Sequence, residues 1–176
     1  HLPAHIETFQ EFIDSYRLYA LDKETQKVYN LAQGTEYYPV PELLVFDVQN
    51  DKVERGRIYS EEQPDATAFV TFYAQNDTLY TLNSHFVWAK YIPKRVNDSL
   101  FYQQIASADV APEPNRSYRY VYYQDIEYEI VQCYTTAECM YFLVQKKDTN
   151  EFQVMTLDTK TGKIEGKIPL NPLLDN

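Results

Sequence analysis

A chain of 176 residues with 44% apolar side chains can close a sizeable core without metals or many disulfides, and it is too apolar for a disordered tail. Its 26 acidic residues against 16 basic ones give a formal charge of −10. That field repels phosphate backbones and anionic headgroups, which argues against nucleic acid and membrane insertion and favours a protein partner, a basic one included.

The elements follow in chain order. Pro3 to Tyr19 carries Ile6, Phe9, Phe12, Ile13 and Tyr16 at offsets of three and four, with Glu7, Gln10, Glu11 and Asp14 opposite. That spacing predicts a short amphipathic helix lying on a sheet. The period then changes to two. Leu18 to Asp22 and Lys27 to Leu31 flank a polar turn, and Gly34, Pro39 and Pro41 mark a connection. Leu43 to Val48 and Lys52 to Tyr59 form a second predicted hairpin, followed by an acidic loop from Ser60 to Asp65. Ala66 to Ala74 and Thr78 to Asn83 flank Gln75-Asn76-Asp77, a turn of the expected composition, and His85 to Ile92 adds a strand with the lone Trp88.

From Pro93 to Arg116 the rhythm breaks. Asp98 or Ser99 is placed to cap a short helix through Leu100, Phe101, Ile105 and Ala106, and Ala111-Pro112-Glu113-Pro114 reads as a semi-rigid connection. This stretch, 93–116, is the expected seam within a single domain of residues 1–176. Tyr118 to Gln124 is the next strand. Three or four short strands then run from Asp125 to Leu170, with Cys133 and Cys139 on either side of the first reversal.

The two cysteines are expected to clamp that hairpin as a disulfide. Closing so short a loop contributes about 2 kcal/mol in the chain-entropy picture. A bridge would place the chain outside the reducing cytosol, as a secreted, cell-surface or periplasmic protein. The triplets beginning at Asn76, Asn97 and Asn115 match the N-glycosylation acceptor pattern.

One local pattern recurs. Leu21-Asp22-Lys23-Glu24-Thr25-Gln26-Lys27-Val28 aligns with Leu157-Asp158-Thr159-Lys160-Thr161-Gly162-Lys163-Ile164, and Phe46-Asp47 to Lys52-Val53 reads as a third relative, one residue shorter. Each strand ends in Asp, whose carboxylate can accept turn amides, and the return strand opens with Lys. Such hairpins resemble those of β-propeller blades, the quinoprotein type among them, over this short stretch of each copy. The fold class expected is therefore all-β: an antiparallel meander of hairpins, barrel-like or sandwiched, with a small or partial β-propeller as the alternative and a short helix at the N-terminus.

Catalytic chemistry finds no foothold. His85 is the only histidine away from the terminus, and its neighbour Ser84 makes no triad by adjacency alone. The four glycines form no phosphate loop, the acidic residues single out no carboxylate pair, and no Cys/His set has zinc spacing. No catalytic residue, metal ligand or cofactor is assigned, and a non-enzymatic role is expected.

The constellation that stands out is aromatic and acidic. At strand period, Tyr118, Tyr120 and Tyr122 share one face, and Glu127 and Glu129 follow in the next strand. Tyrosines beside carboxylates suit a protein hot spot, which points to an interaction domain of inhibitor, immunity or surface-assembly type. A glycan-binding module is the alternative, provided that Trp88 is exposed and coplanar with surface tyrosines.

Overall fold

The computed structural model describes residues 17–32, 41–59, 69–112 and 127–170. Twelve strands occupy these residues, and no helix lies among them. They are β1 Arg17–Asp22, β2 Lys27–Ala32, β3 Glu42–Asp47, β4 Lys52–Tyr59, β5 Phe69–Gln75, β6 Thr78–Asn83, β7 Val87–Val96, β8 Ser99–Asp109, β9 Tyr128–Thr135, β10 Cys139–Lys146, β11 Phe152–Asp158 and β12 Ile164–Pro169. The all-β meander is as the alternating pattern predicts. The expected N-terminal helix and the Tyr118 to Gln124 strand lie outside the described residues.

Hydrogen bonds join the strands in the orders β1-β2-β3-β4-β8-β7-β6-β5 and β12-β11-β10-β9. Sequential strands are neighbours within β1–β4, β5–β8 and β9–β12, and a parallel pairing brings Gly56–Tyr59 of β4 beside Leu100–Gln103 of β8. The chain divides into two compact units. The first holds β1 to β4 with Ala74–Leu79 and Tyr91–Ile105, and the second holds Phe69–Tyr73, Tyr80–Lys90 and the chain from Ala106 onward.

Turn chemistry explains the hairpins. Asn76 and Asp77 join β5 to β6 with φ of 51° and 63°, and Asn97 and Asp98 join β7 to β8 with φ of 50° and 66°. Two successive positive φ values are the pattern of type I′ turns, whose twist matches the flanking strands. Two of the acceptor-pattern asparagines are therefore also the residue type these turns require; Asn115 lies outside the described residues. The helix expected beyond Asp98 is not formed. An N-cap needs extended backbone, which Asp98 lacks. Leu100 and Tyr102 are buried while Ser99 and Gln103 are exposed, so this segment alternates as a strand.

The recurring Asp turn is one structure used three times. The Thr25 amide donates to Asp22 Oδ1 (3.3 Å), the Asn50 amide to Asp47 Oδ1 (3.2 Å) and the Thr161 amide to Asp158 Oδ1 (2.9 Å). Four residues after each Asp the chain turns left-handed: Gln26 at 56°, Asp51 at 51° and Gly162 at 71°. The Asp47 turn has the same length as the other two.

In the first unit, Asp22 also takes amide hydrogen bonds from Asn76 (3.1 Å) and Asp77 (2.7 Å), so one fully buried carboxylate ties two turns together. Burial alone would push this carboxyl up. The hydrogen bonds from Asp77, Thr25 and Asn76 outweigh it and hold the group below its usual range. Below this anchor, Tyr29 and Tyr102 meet edge to face with ring centroids 5.9 Å apart, Tyr102 Oη donates to Tyr29 Oη (3.2 Å), and Tyr29 Oη donates to Asp77 (3.2 Å).

The second unit is built on a cluster that includes Tyr80, Leu82, Phe86, Trp88, Met140, Phe142, Met155 and Leu157. Trp88 is only 3% exposed, and its indole N–H donates to Thr159 O (2.9 Å). A buried, hydrogen-bonded Trp88 cannot serve as a sugar platform, which removes the requirement on which the glycan reading stood. Phe86 is held at φ 61° because Asn83 Oδ1 accepts the His85 and Val87 amides around it and its ring packs near Phe142.

The disulfide is a correction. Cys133 and Cys139 are both free thiols. Cys133 is registered opposite Phe142, whereas Cys139 lies three residues before Phe142 on the same strand. An odd offset points the two side chains to opposite faces of the hairpin. Cys133 Sγ donates inward to Val70 O (3.1 Å). Without a bridge, the two cysteines no longer argue for an oxidising compartment.

Candidate interaction surface

The four-stranded sheet of the second unit has two unlike faces, and the register says why. Met140, Phe142 and Val144 of β10 and Met155 and Leu157 of β11 point into the core. The alternate positions point outward. Tyr134 of β9 stands opposite Tyr141 of β10, Tyr141 opposite Thr156 of β11, and Thr156 opposite Gly166 of β12. The next row reads Gln132, Leu143, Val154 and Ile168, and the third brings Glu129 to Gln145 and Phe152.

This outer face is aromatic and aliphatic at its centre. Tyr134 is 69% exposed and Tyr141 43% exposed, with ring centroids 6.5 Å apart and planes inclined at 36°. A cross-strand aromatic pair of this kind is worth several tenths of a kcal/mol and presents two fixed rings at low entropic cost. Ile168 at the sheet edge and Val131 at the β9 bulge are also exposed.

The rim is acidic. The Cys139 thiol beside the Tyr141 hydroxyl pushes its pKa up, burial adds to this, and the Glu165 and Glu138 carboxylates add last. Glu138 sits in the β9–β10 turn, which is fixed by the Thr159 amide donating to Glu138 O (3.1 Å) and Thr159 Oγ1 donating to Thr136 O (2.9 Å). The Asp158 turn therefore positions the acidic corner of the tyrosine face. Burial pushes both cysteine thiols up as well, which keeps them protonated and unreactive.

No protein-family model matches the chain, and no curated protein does. Among solved structures it is similar to the β-propeller domain of Myceliophteria thermophila Cps50 (Swd1), with a TM-score of 0.46 and 10% identity. The alignment covers 95% of this chain and 47% of that one, so the chain spans about half the length of the structure it matches.

The residues expected from the sequence are divided by the structure. Tyr118, Tyr120 and Tyr122 lie outside the described residues. Glu127 is exposed just before β9, where its carbonyl accepts the Lys147 amide (2.7 Å). Glu129 is exposed on the outer face, in register with Gln145. Tyr134 and Tyr141 were missed because the cysteines beside them were read as a clamp. The available signal was strand period: Cys133 in, Tyr134 out, and Met140 in, Tyr141 out. No cluster of three potential metal ligands occurs among the described residues.

Proposed function

We propose that this chain is a non-enzymatic interaction domain that binds a protein partner through the outer face of its four-stranded sheet. The observation that carries this reading is the exposed Tyr134–Tyr141 pair bordered by Glu129, Glu138 and Glu165. Tyrosine is among the residue types enriched at the centre of protein interfaces, and a carboxylate rim steers a basic partner and fixes its orientation. Leu143, Val154 and Ile168 extend the patch along the sheet, giving a flat apolar strip of the kind that a protein covers.

The test is affinity capture from the native source with wild-type chain, with the Tyr134→Ala/Tyr141→Ala double variant, and with Tyr19→Ala as an exposed-tyrosine control in the other unit. Binding of the captured partner should weaken about thirtyfold in the double variant, the equivalent of about 2 kcal/mol, and hold in the control. It should also weaken with rising salt. Equal binding by wild type and double variant would reject this face as the contact.

A further inference from the structure

The outer face of the first unit carries the opposite charge to the tyrosine face. Where β4 runs beside β8, Leu100, Ile58 and Tyr102 are buried. The alternate positions, Arg57 beside Phe101 and Tyr59 beside Gln103, therefore point outward. Lys94 and Val96 of β7 line one shallow hollow of about 250 Å³ with Tyr59, Phe101 and Gln103. Tyr59 is 53% exposed and Val96 46% exposed, and every one of these residues belongs to the first unit.

The charges on this face are not balanced. Arg55 lies two residues before Arg57 and shares its side of β4, in register with Leu44, while Arg57 is in register with Glu42. Arg55, Arg57 and Lys94 are exposed and make no ion pair among the described residues. Lys27 and Arg95, which do have carboxylate partners in Asp77 and Glu54, point to the other side of the sheet. Cations thus gather around the Tyr59 and Phe101 rings in a chain of formal charge −10, with Glu42 as the carboxylate on the same rows. Like charges on neighbouring strands repel one another, and carboxylates brought against them relieve that repulsion. A surface of that chemistry exists on the same chain, since the Tyr134–Tyr141 face is also an outward sheet face with an aromatic centre, and Glu129, Glu138 and Glu165 border it.

We propose that the basic face of one copy docks on the acidic tyrosine face of a second copy, with Arg55, Arg57 and Lys94 meeting Glu129, Glu138 and Glu165 around packed aromatic rings. The proposal rests on the tyrosine face being a contact surface, and it makes a second copy of the chain the partner. The overall charge opposes self-association at long range, but at about 0.15 M salt fields are screened within about 8 Å and the charges at the contact decide. Because the two surfaces are unlike, the contact is head-to-tail. It leaves one face of each kind free at the ends, so it adds copies instead of stopping at a two-fold pair.

Sedimentation equilibrium of the full chain at about 0.15 M salt and rising concentration tests it. Wild type should form dimers and larger species as concentration rises. Arg57→Gln/Lys94→Glu disables the basic face, with Gln at 57 avoiding a second carboxylate against Glu42. Tyr134→Ala/Tyr141→Ala disables the other face, and Glu138→Lys/Glu165→Lys does so with the rings left in place. Each variant alone should self-associate at least about thirtyfold more weakly than wild type. An equal mixture of the basic-face variant with either acidic-face variant should restore a one-to-one dimer, because each supplies the face that the other lacks. Wild type that stays monomeric throughout overturns the proposal and leaves capture of a different protein by the tyrosine face intact. Variants that associate as wild type does, or mixtures that stay monomeric, overturn it as well.

Discussion

Asp22 shows how much one residue can organise in a sheet protein. Its carboxylate is fully buried and accepts amides from Thr25, Asn76 and Asp77, so it closes its own turn and fixes the β5–β6 turn from a distance of more than fifty residues in sequence. Because the folded carboxyl is held below its ordinary value of 3.8, the charged form is the one the fold prefers. Its stabilisation is fully present above the unfolded-state value and is lost as pH falls below it, through the folded value. Replacement by Asn keeps one acceptor and removes the charge. Asp22→Asn is expected to lower stability at neutral pH by about 2 kcal/mol, from weakened charge-assisted hydrogen bonds, and to flatten the loss of stability below about pH 4. Urea denaturation across that range checks both, and an acid limb as steep in the variant as in the wild type would assign the acid sensitivity elsewhere.

At the scale of elements, the sequence made the hairpins legible and hid one of them. Strand period and turn composition are local, so β1 to β6 could be placed from the residues alone, and three or four strands expected between Asp125 and Leu170, where β9 to β12 lie. The β7–β8 hairpin could not, because Leu100, Phe101 and Ile105 also fall at helical offsets. The left-handed Asn97-Asp98 turn decides the matter, and the Asn-Asp pair that also marks the β5–β6 turn was outweighed by those offsets. The threefold Asp turn makes a sharper comparison, since its left-handed position is filled by Asp51 in one copy and Gly162 in another. Asp51 is exposed and pays the cost of that conformation, so Asp51→Gly should stabilise the chain by about 0.5 kcal/mol. Gly162→Ala should do the reverse. A Cβ there would run into the Trp88 ring, which is buried and hydrogen-bonded to Thr159 and cannot withdraw. A loss of about 2 kcal/mol is expected, with a shift in the emission of the lone tryptophan; denaturant midpoints of the two variants moving in the same direction would show that the turns are not equivalent.

For the whole molecule, charge and cysteine count were legible as numbers and misleading as geometry. A formal charge of −10 does not disclose that Lys27 pairs with Asp77 and Arg95 with Glu54, because each pair joins residues far apart in sequence. Two cysteines across a short reversal suit a bridge only if the register offset is even, and register is set by which face of β9 and β10 the core takes. Phe142 and Met140 go inward, Cys133 follows Phe142, and Cys139 is left beside Tyr141. Both thiols should therefore be present in protein purified without reductant. Intact mass after alkylation in denaturant should show two added groups, with or without prior reduction. In native buffer alkylation should be slow, since Cys139 is buried, Cys133 is half-buried, and burial keeps both protonated. A chain that takes up alkyl groups only after reduction would mean that β9 has slipped by three residues against β10, an odd shift that would also turn Tyr134 into the core and remove the tyrosine face with it.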